Sequence, residues 1–458
     1  MTSVLLIYPL FRRRLDRSRF RFPPLGVAYV AAALQEAGHA VRVLDCTFLR
    51  RDEAARLALA ARAEVVGIYC MTTMEEDARW FAERLRGRCS LLVAGGPLPS
   101  CDPDAFLEHF DVVVRGEGEQ TVRELLDARE AGADLDAVPG VVCRREVGAR
   151  ARGEDGGALR APPRPLARDL DAIPFPAREL LPNARYIQFG RKSYGYSITT
   201  VMSTRGCPFR CEFCSNLVFG KSYRERSPEN VVDEIEDCLA LGYERISLAD
   251  DVFTLNGRRV LEICAEIRRR RLRFAWECLG RVDTFDHATA EAMKAAGCFR
   301  IFFGIESGND AILKLMKKQI TTAQARNAVA AAHRAGLEVG AFFILCYPGE
   351  TDDTVLDTLR FATSLPLDYV GLTMPYPLPG TALLERVGDR VTRPWRPQEA
   401  LLVNHVLTYE GDFSALKMRF ALLKGRAQFE MKRRLGSFAP AALRLFEGPT
   451  DRLFRRLR

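Results

Sequence analysis

Hydrophobic and polar positions follow two successive programmes along this chain of 458 residues. In the first 130 or so residues, short β-type runs at 4–8, 40–44, 64–69, 91–94 and 111–114 alternate with helix-period segments at 26–37, 52–62, 75–86, 103–110 and 120–130. Five strands alternating with helices predict a parallel sheet covered on both faces. Ligands of such sheets bind beyond the carboxyl ends of the strands. Two glycine-rich segments fall there, Gly95-Gly96-Pro97 and Gly116-Glu117-Gly118-Glu119. Glycines at strand ends serve tight turns as readily as ligands, so these alone decide nothing.

From 139 to about 196 the pattern breaks. Residues 150–168 are rich in Gly, Arg, Ala and Pro and read as a linker, and 169–182 mixes prolines with apolar residues as a packed crossing segment does. A second, cleaner alternation follows. Strands are predicted at 199–203, 245–248, 273–278, 299–303, 338–345 and 368–373, with helices at 228–241, 256–270, 287–296, 321–335 and 352–364 between them. Six consecutive β/α units predict a (β/α)6 partial barrel of the TIM type. Beyond Pro394 the pattern is helical and basic. The expected α/β organisation is therefore 1–140 Rossmann-like, 141–195 linker, 196–390 partial barrel and 391–458 a helical, basic C-terminal region.

Composition changes this picture in two places. The chain's net charge is +8, and the segment from Gly411 to the end holds 12 Lys and Arg against 4 Asp and Glu, so the whole excess sits there. A solvated helical face explains it more simply than a patch for a membrane surface, an acidic partner or an electron donor. No aromatic–basic interleaving accompanies it, and no nucleic-acid partner is expected. No run of about 18 apolar residues suggests a membrane span. The N-terminal MTSVLLIY reads as a buried first strand and not as a leader, which makes the cytoplasm the expected compartment. Thirteen cysteines diluted over so long a chain point to reduced thiols or ligands rather than disulfides. Cys46, Cys70, Cys89, Cys143, Cys264 and Cys346 lie in or beside apolar runs, as small buried hydrophobes do.

One cysteine group departs from that. After the first strand of the second alternation comes Thr204-Arg205-Gly206-Cys207-Pro208-Phe209-Arg210-Cys211-Glu212-Phe213-Cys214. The second strand is followed by Asp250-Asp251, the third by Gly280-Arg281-Val282-Asp283, the fourth by Gly304-Ile305-Glu306-Ser307-Gly308, the fifth by Tyr347-Pro348-Gly349-Glu350 and the sixth by Tyr376–Thr381. In a β/α barrel all six loops open on one face, where active sites sit. Structural zinc needs four ligands, and the next cysteine is Cys238 on a predicted helix, while no histidine lies between the trio and His287. A [4Fe–4S] cluster held by three thiolates leaves one iron open for a substrate or cofactor.

These residues resemble the radical S-adenosylmethionine enzymes. Cys207, Cys211 and Cys214, with Phe213 before the last, match the family's CxxxCxΦC signature. Asp250-Asp251 with Phe253-Thr254, the GIESG segment Gly304–Gly308 and the turn Tyr347–Glu350 resemble its cobalamin-binding members. Pro23-Pro24-Leu25-Gly26, Gly95-Gly96-Pro97 and Gly116–Glu119 resemble their cobalamin domain, and the proline-bearing link 170–182 matches too. The likeness spans about 1–390 and stops short of the last 65 or so residues.

The resemblance implies three cofactors: a [4Fe–4S] cluster on Cys207, Cys211 and Cys214, S-adenosylmethionine on its open iron, and cobalamin. It places Glu306 and Ser307 against the ribose or amino group of S-adenosylmethionine and Phe213 near the adenine. It sets Asp251 in the same loop system and Arg281 toward the carboxylate, a structural ion pair of Arg281 with Asp251 or Asp283 being the alternative. It places Gly95, Gly96, Pro97, Gly116, Glu117, Gly118 and Glu119 along the nucleotide tail and Thr72, Thr73 and Met74 under the corrin. The Asp-x-His-x-x-Gly motif that supplies cobalt's lower histidine in other cobalamin proteins is absent, His39 and His109 read as surface or packing residues, and Leu98 replaces the histidine that follows GGP in many relatives. The expected activity is methyl transfer to an unactivated carbon or phosphorus of a small natural product or lipid-like substrate, with oxidative cyclisation or rearrangement as the alternative. A reducing partner such as flavodoxin or ferredoxin is implied.

Overall fold

The chain was analysed as a computed structural model that describes residues 1–11, 21–144, 158–391 and 409–457. Five strands, β1 (Ser3–Tyr8), β2 (Ala40–Asp45), β3 (Val65–Tyr69), β4 (Leu91–Gly95) and β5 (Val112–Val114), pair in parallel in the order β2-β1-β3-β4-β5. Alternate residues of β1 feed two different cores: Leu5 and Ile7 pack with Phe81 and Phe106 on one face, and Val4 and Leu6 with Val27 and Leu125 on the other. That is why the strand reads as continuously apolar instead of alternating. The strand order reverses direction between β1 and β3, which opens a crevice at their carboxyl ends.

The expected linker is more structured than its composition suggests. β6 (Val141–Arg144) and β7 (Ala158–Arg160) extend the sheet with two antiparallel strands, and Asn183–Tyr194 is a helix closed by Gly195. The three-residue apolar run Val141-Val142-Cys143 is fully buried and is too short to stand out between polar neighbours. Of the linker 150–168, residues 150–157 lie outside the described ones. The crossing segment ties the two halves together. Arg178 reaches Glu234 at 2.5 Å and the Thr200 carbonyl at 2.7 Å, while the Tyr186 hydroxyl donates to Asp45 at 2.6 Å.

The second half begins with β8 (Ile198–Val201). A two-residue antiparallel ladder, β9 (Thr204–Arg205) with β10 (Arg224–Glu225), then brackets the cysteine loop. β11 (Arg245–Leu248), β12 (Ala275–Gly280), β13 (Cys298–Glu306), β14 (Glu338–Ile344) and β15 (Tyr369–Thr373) follow. The parallel order is β15-β14-β13-β12-β11-β8, an open six-stranded barrel with helices outside. Cys46, Cys70, Cys143, Cys264 and Cys346 are buried as small apolar residues and Cys89 is half-buried.

Pro394 and the rest of 392–408 lie outside the described residues. Helices Ala415–Leu435 and Ala439–Arg456 form a hairpin beside β15. Phe413, Met418, Leu422, Phe429 and Phe454 join the barrel core, while Leu416 and Leu423 stay exposed. Part of the basic excess is locally paired, Lys417 with Asp352 at 2.7 Å and Lys424 with Asp451 at 2.9 Å. Among the described residues no helix is long and apolar enough to cross a membrane.

Candidate active site

The cysteine loop leaves β8 through Gly206, whose φ of +83° and whose position admit only glycine. A Cβ there would stand 2.3 Å from the Ser222 carbonyl oxygen. Asp250, fully buried at the end of β11, accepts from the Ser203 and Thr204 amides at 2.6 and 3.0 Å and fixes the loop's first turn. Glu212 fixes the far end. Its carboxylate accepts from the Tyr347 hydroxyl at 2.7 Å and pairs with Arg386 at 3.2 Å, and its backbone bonds to Met316 and Leu383. Phe213 packs into the apolar cluster of Met316, Ile344 and Tyr347. The three thiols are thereby presented from a loop pinned to two other strand ends.

Charges around the thiols are arranged in opposed pairs. Burial pushes the Cys207 thiol up, with Asp251 and Cys211 adding to the shift and Arg281 opposing it. Cys214 is pushed up to about 12 by the surrounding protein mass, then by Cys211, Asp251 and Cys207, with Lys318 opposing. Arg281 acts on Cys207 and Lys318 on Cys214 against the neighbouring acidic groups. A bound metal favours the ionised form of a coordinating thiol. Among the described residues no group of three His, Cys, Asp or Glu side chains is arranged to hold a single ion. Three thiols on one loop are a donor set that would hold a [4Fe–4S] cubane and leave one iron open.

The neighbouring loops are tightly tied. Arg281 is bidentate to Asp283 at 2.9 and 2.9 Å, donates to the Lys318 carbonyl at 3.1 Å and stacks over Phe209 with its guanidinium 3.4 Å from the ring centroid. The structural ion pair is therefore formed, and with Asp283 rather than Asp251. Glu306 adopts φ +73°, uncommon outside glycine, and its carboxylate meets Lys318 at 3.1 Å in a buried pair. The Ser307 hydroxyl is fully buried against Thr358 at 3.1 Å and accepts from the Asn309 amide, so it is committed to shaping the loop. Asp251 is exposed at the mouth.

In the N-terminal half, Gly95, Gly96, Pro97, Gly116, Glu117, Gly118 and Glu119 all line one cavity of ≈ 250 Å³, whose other walls are apolar and include Leu6, Val30, Tyr69 and Val93. It lies at the carboxyl ends of β1, β3 and β4, at the reversal of strand order. Gly96, at φ +108°, lies so close to the Cys70 backbone that a Cβ would stand 2.7 Å from its carbonyl oxygen. This glycine-edged slot offers a ligand apolar walls and a rim where the backbone can be approached closely. Thr72, Thr73 and Met74 do not line it. Met74 turns into the core beneath the sheet, because the 3-10 turn that carries it sends its side chain inward. His39 accepts from the Thr2 amide at the amino end of β1 and His109 lies beside Glu108, both away from the slot.

The slot and the cysteine loop meet at a buried seam. Arg205, two residues before Cys207, donates to Glu119 at 2.6 Å, and Arg224 donates to Glu117 at 2.7 Å. Burial works against the Arg205 charge, and Glu119 and Glu117 more than restore it. Arg205, Met202, Val218 and Phe219 of the barrel half complete the slot's wall. The sequence shows the two carboxylates but not that arginines pair with them, and the one local signal is a cation directly before the Gly-Cys turn. Glu212, between Cys211 and Cys214, likewise carries no local sign of its partners.

Comparison with known proteins agrees with both halves. Residues 201–362 match the Radical SAM superfamily and residues 14–126 the B12 binding domain. An uncharacterised methyltransferase of Pyrococcus horikoshii is 37% identical over 372 residues, covering 79% of this chain and 78% of that protein. The anaerobic magnesium-protoporphyrin IX monomethyl ester cyclase of Rubrivivax gelatinosus is 28% identical over 404 residues, covering 85% and 70%. In fold the chain is similar to the radical S-adenosylmethionine methyltransferase TsrM of Kitasatospora setae, solved with cobalamin and a [4Fe-4S] cluster, at a TM-score of 0.71 and 22% identity, covering 85% of this chain and 75% of that one.

Proposed function

Because the chain belongs to the cobalamin-binding radical S-adenosylmethionine enzymes, we propose that it moves a methyl group to an unactivated carbon or phosphorus of a small natural product or lipid-like substrate. The observation that carries this reading is the seam itself: one arginine borders both the slot of the first half and the loop of the ligand cysteines. Bound in these two places, a cluster supplies the electron that cleaves S-adenosylmethionine and a corrinoid supplies the methyl group.

The chain's own contribution is positional. Cys207, Cys211 and Cys214 hold the cluster on a loop that Glu212 and Asp250 anchor at both ends. Lys318 and Arg281 face the thiols with positive charge, and Glu306 and Asp283 keep those cations in place. For S-adenosylmethionine, Glu306 and Asp251 are the carboxylates at the mouth able to meet ribose or amino groups, with Phe213 beside the cysteine loop. Ser307 acts through the loop it braces. Glycines of the two N-terminal segments let a nucleotide tail approach the backbone, and apolar walls exclude water from it. In this reading 1–140 carries the corrinoid and 196–390 the cluster, and a small reducing protein such as flavodoxin or ferredoxin delivers electrons.

The similarity to a cyclase keeps one other reaction in view, oxidative ring formation without methyl transfer. Methyl-labelled S-adenosylmethionine separates the two. The reconstituted enzyme, given extracts of cells that encode it, should place label in a product as 5′-deoxyadenosine accumulates. Deoxyadenosine formation with an unlabelled product would refute methyl transfer.

A further inference from the structure

Arg205 is 3% exposed, lies on the slot's wall, and has one guanidinium nitrogen without a hydrogen bond. Its Nη2 donates to Glu119 Oε1 at 2.6 Å. Its Nη1 makes no hydrogen bond. The nearest carboxylate oxygen, Glu117 Oε1 at 3.4 Å, is attractive in charge but already accepts from Arg224 Nη1 at 2.7 Å, and Glu117 Oε2 accepts from the Ala167 amide at 2.9 Å. The guanidinium cannot swing away to find a partner. It is sandwiched between the rings of Tyr29 and Phe219, 5.0 and 5.1 Å from their centroids. A buried donor left without an acceptor costs about 1–3 kcal/mol, so a preorganised fork with one free tine is a poor design unless something enters.

We propose that Arg205 is a corrinoid-binding residue whose Nη1 donates a hydrogen bond to an oxygen of the bound cofactor, either a rim amide or the phosphate of the nucleotide tail. The inference rests on the slot taking a corrinoid. Glu117 and Glu119 are then not direct ligands. They hold Arg205 and Arg224 in place, and the two arginines in turn cancel carboxylate charge that would repel a phosphate. Because only Gly206 separates Arg205 from Cys207, a cofactor held by this nitrogen is registered directly against the cluster loop. Arg205 thereby sets the spacing of the two cofactors.

The test is a binding titration on full-length protein prepared without oxygen and without corrinoid, using hydroxocobalamin and, separately, cobinamide, which lacks the nucleotide tail. Wild type is compared with Arg205→Met, which keeps the stem and removes the fork, and Arg205→Lys, which keeps the charge that Glu117 and Glu119 need and so protects the fold. Arg205→Met should weaken cobalamin at least tenfold and Arg205→Lys about fivefold, with iron content unchanged. Equal loss for both corrinoids places the acceptor on the macrocycle, and loss for cobalamin alone places it on the tail. If folded Arg205→Lys and Arg205→Met bind both corrinoids as wild type does, Arg205 is a seam residue only and the proposal is overturned. Wild-type protein that binds neither corrinoid overturns the slot assignment itself, and this inference with it.

Discussion

At the barrel mouth the site is made of side chains: three thiols, two cations facing them, and carboxylates that pin loop and cations alike. In the N-terminal slot the site is made largely of their absence, with glycines at the rim, backbone within reach and apolar walls. The difference follows from what each must hold. A metal cluster is bound by specific atoms and its protein must supply them, together with the charge that keeps them ionised. A large organic cofactor is bound by shape, and its protein must mainly keep out of the way. Removing side chains should therefore break the first site, and adding them should break the second.

The largest effect expected is at the cysteines. Replacing Cys207, Cys211 and Cys214 together by alanine should remove the iron and abolish 5′-deoxyadenosine formation, while corrinoid still binds. Iron analysis and cobalamin titration on one sample check both halves, and loss of corrinoid binding as well would show that the two sites fold as one. Next comes the converse change, Gly96→Val. The new Cβ meets the Cys70 carbonyl at 2.7 Å in a backbone conformation open to glycine, so corrinoid affinity should fall more than tenfold and stability by about 2–5 kcal/mol. The iron content of the variant should stay at the wild-type value.

A smaller effect isolates the cost of charge on the barrel side. Burial raises Glu350 to about 7, even though its carboxylate accepts from the Tyr347 amide at 2.8 Å, and its other oxygen has no partner. The folded state thus prefers the protonated acid. That stabilisation is complete below the unfolded value, near 4.5, and is lost as pH rises through about 7. Glu350→Gln, which cannot ionise, should be the more stable protein at about pH 8 by up to ~3 kcal/mol, and the difference should close toward about pH 5. Thermal melts of the two proteins across that range measure it, and a pH-independent difference would count against a buried, titrating Glu350.

Much of this molecule was readable in one dimension. Strands such as 245–248, and helices such as 352–364, lie where the hydrophobic period places them, because burial on a sheet or a helix face imposes that period directly. The cysteine trio was legible for a related reason: its chemistry is local, closed within a few residues, whereas the two glycine segments gained meaning only from the family resemblance. Short elements were not. Val141-Val142-Cys143 is a strand only because β5 and β7 lie on either side of it. Met74, which the resemblance places under the corrin, has its side chain buried in the core, and which way a single turn points is settled by packing.

By itself the sequence determined the two β/α programmes, since spacing along the chain is enough to specify local geometry, and its motifs carried the family resemblance that implied the cofactors. The tertiary structure alone decided that Arg205 stands between slot and cluster loop, that Glu117 and Glu119 pair with arginines, and that the Ser307 hydroxyl is bonded to Thr358. Those partners lie between 51 and 107 residues apart in the chain. Nothing in the local pattern of either partner carries the other's position, and only tertiary packing brings them within hydrogen-bonding distance.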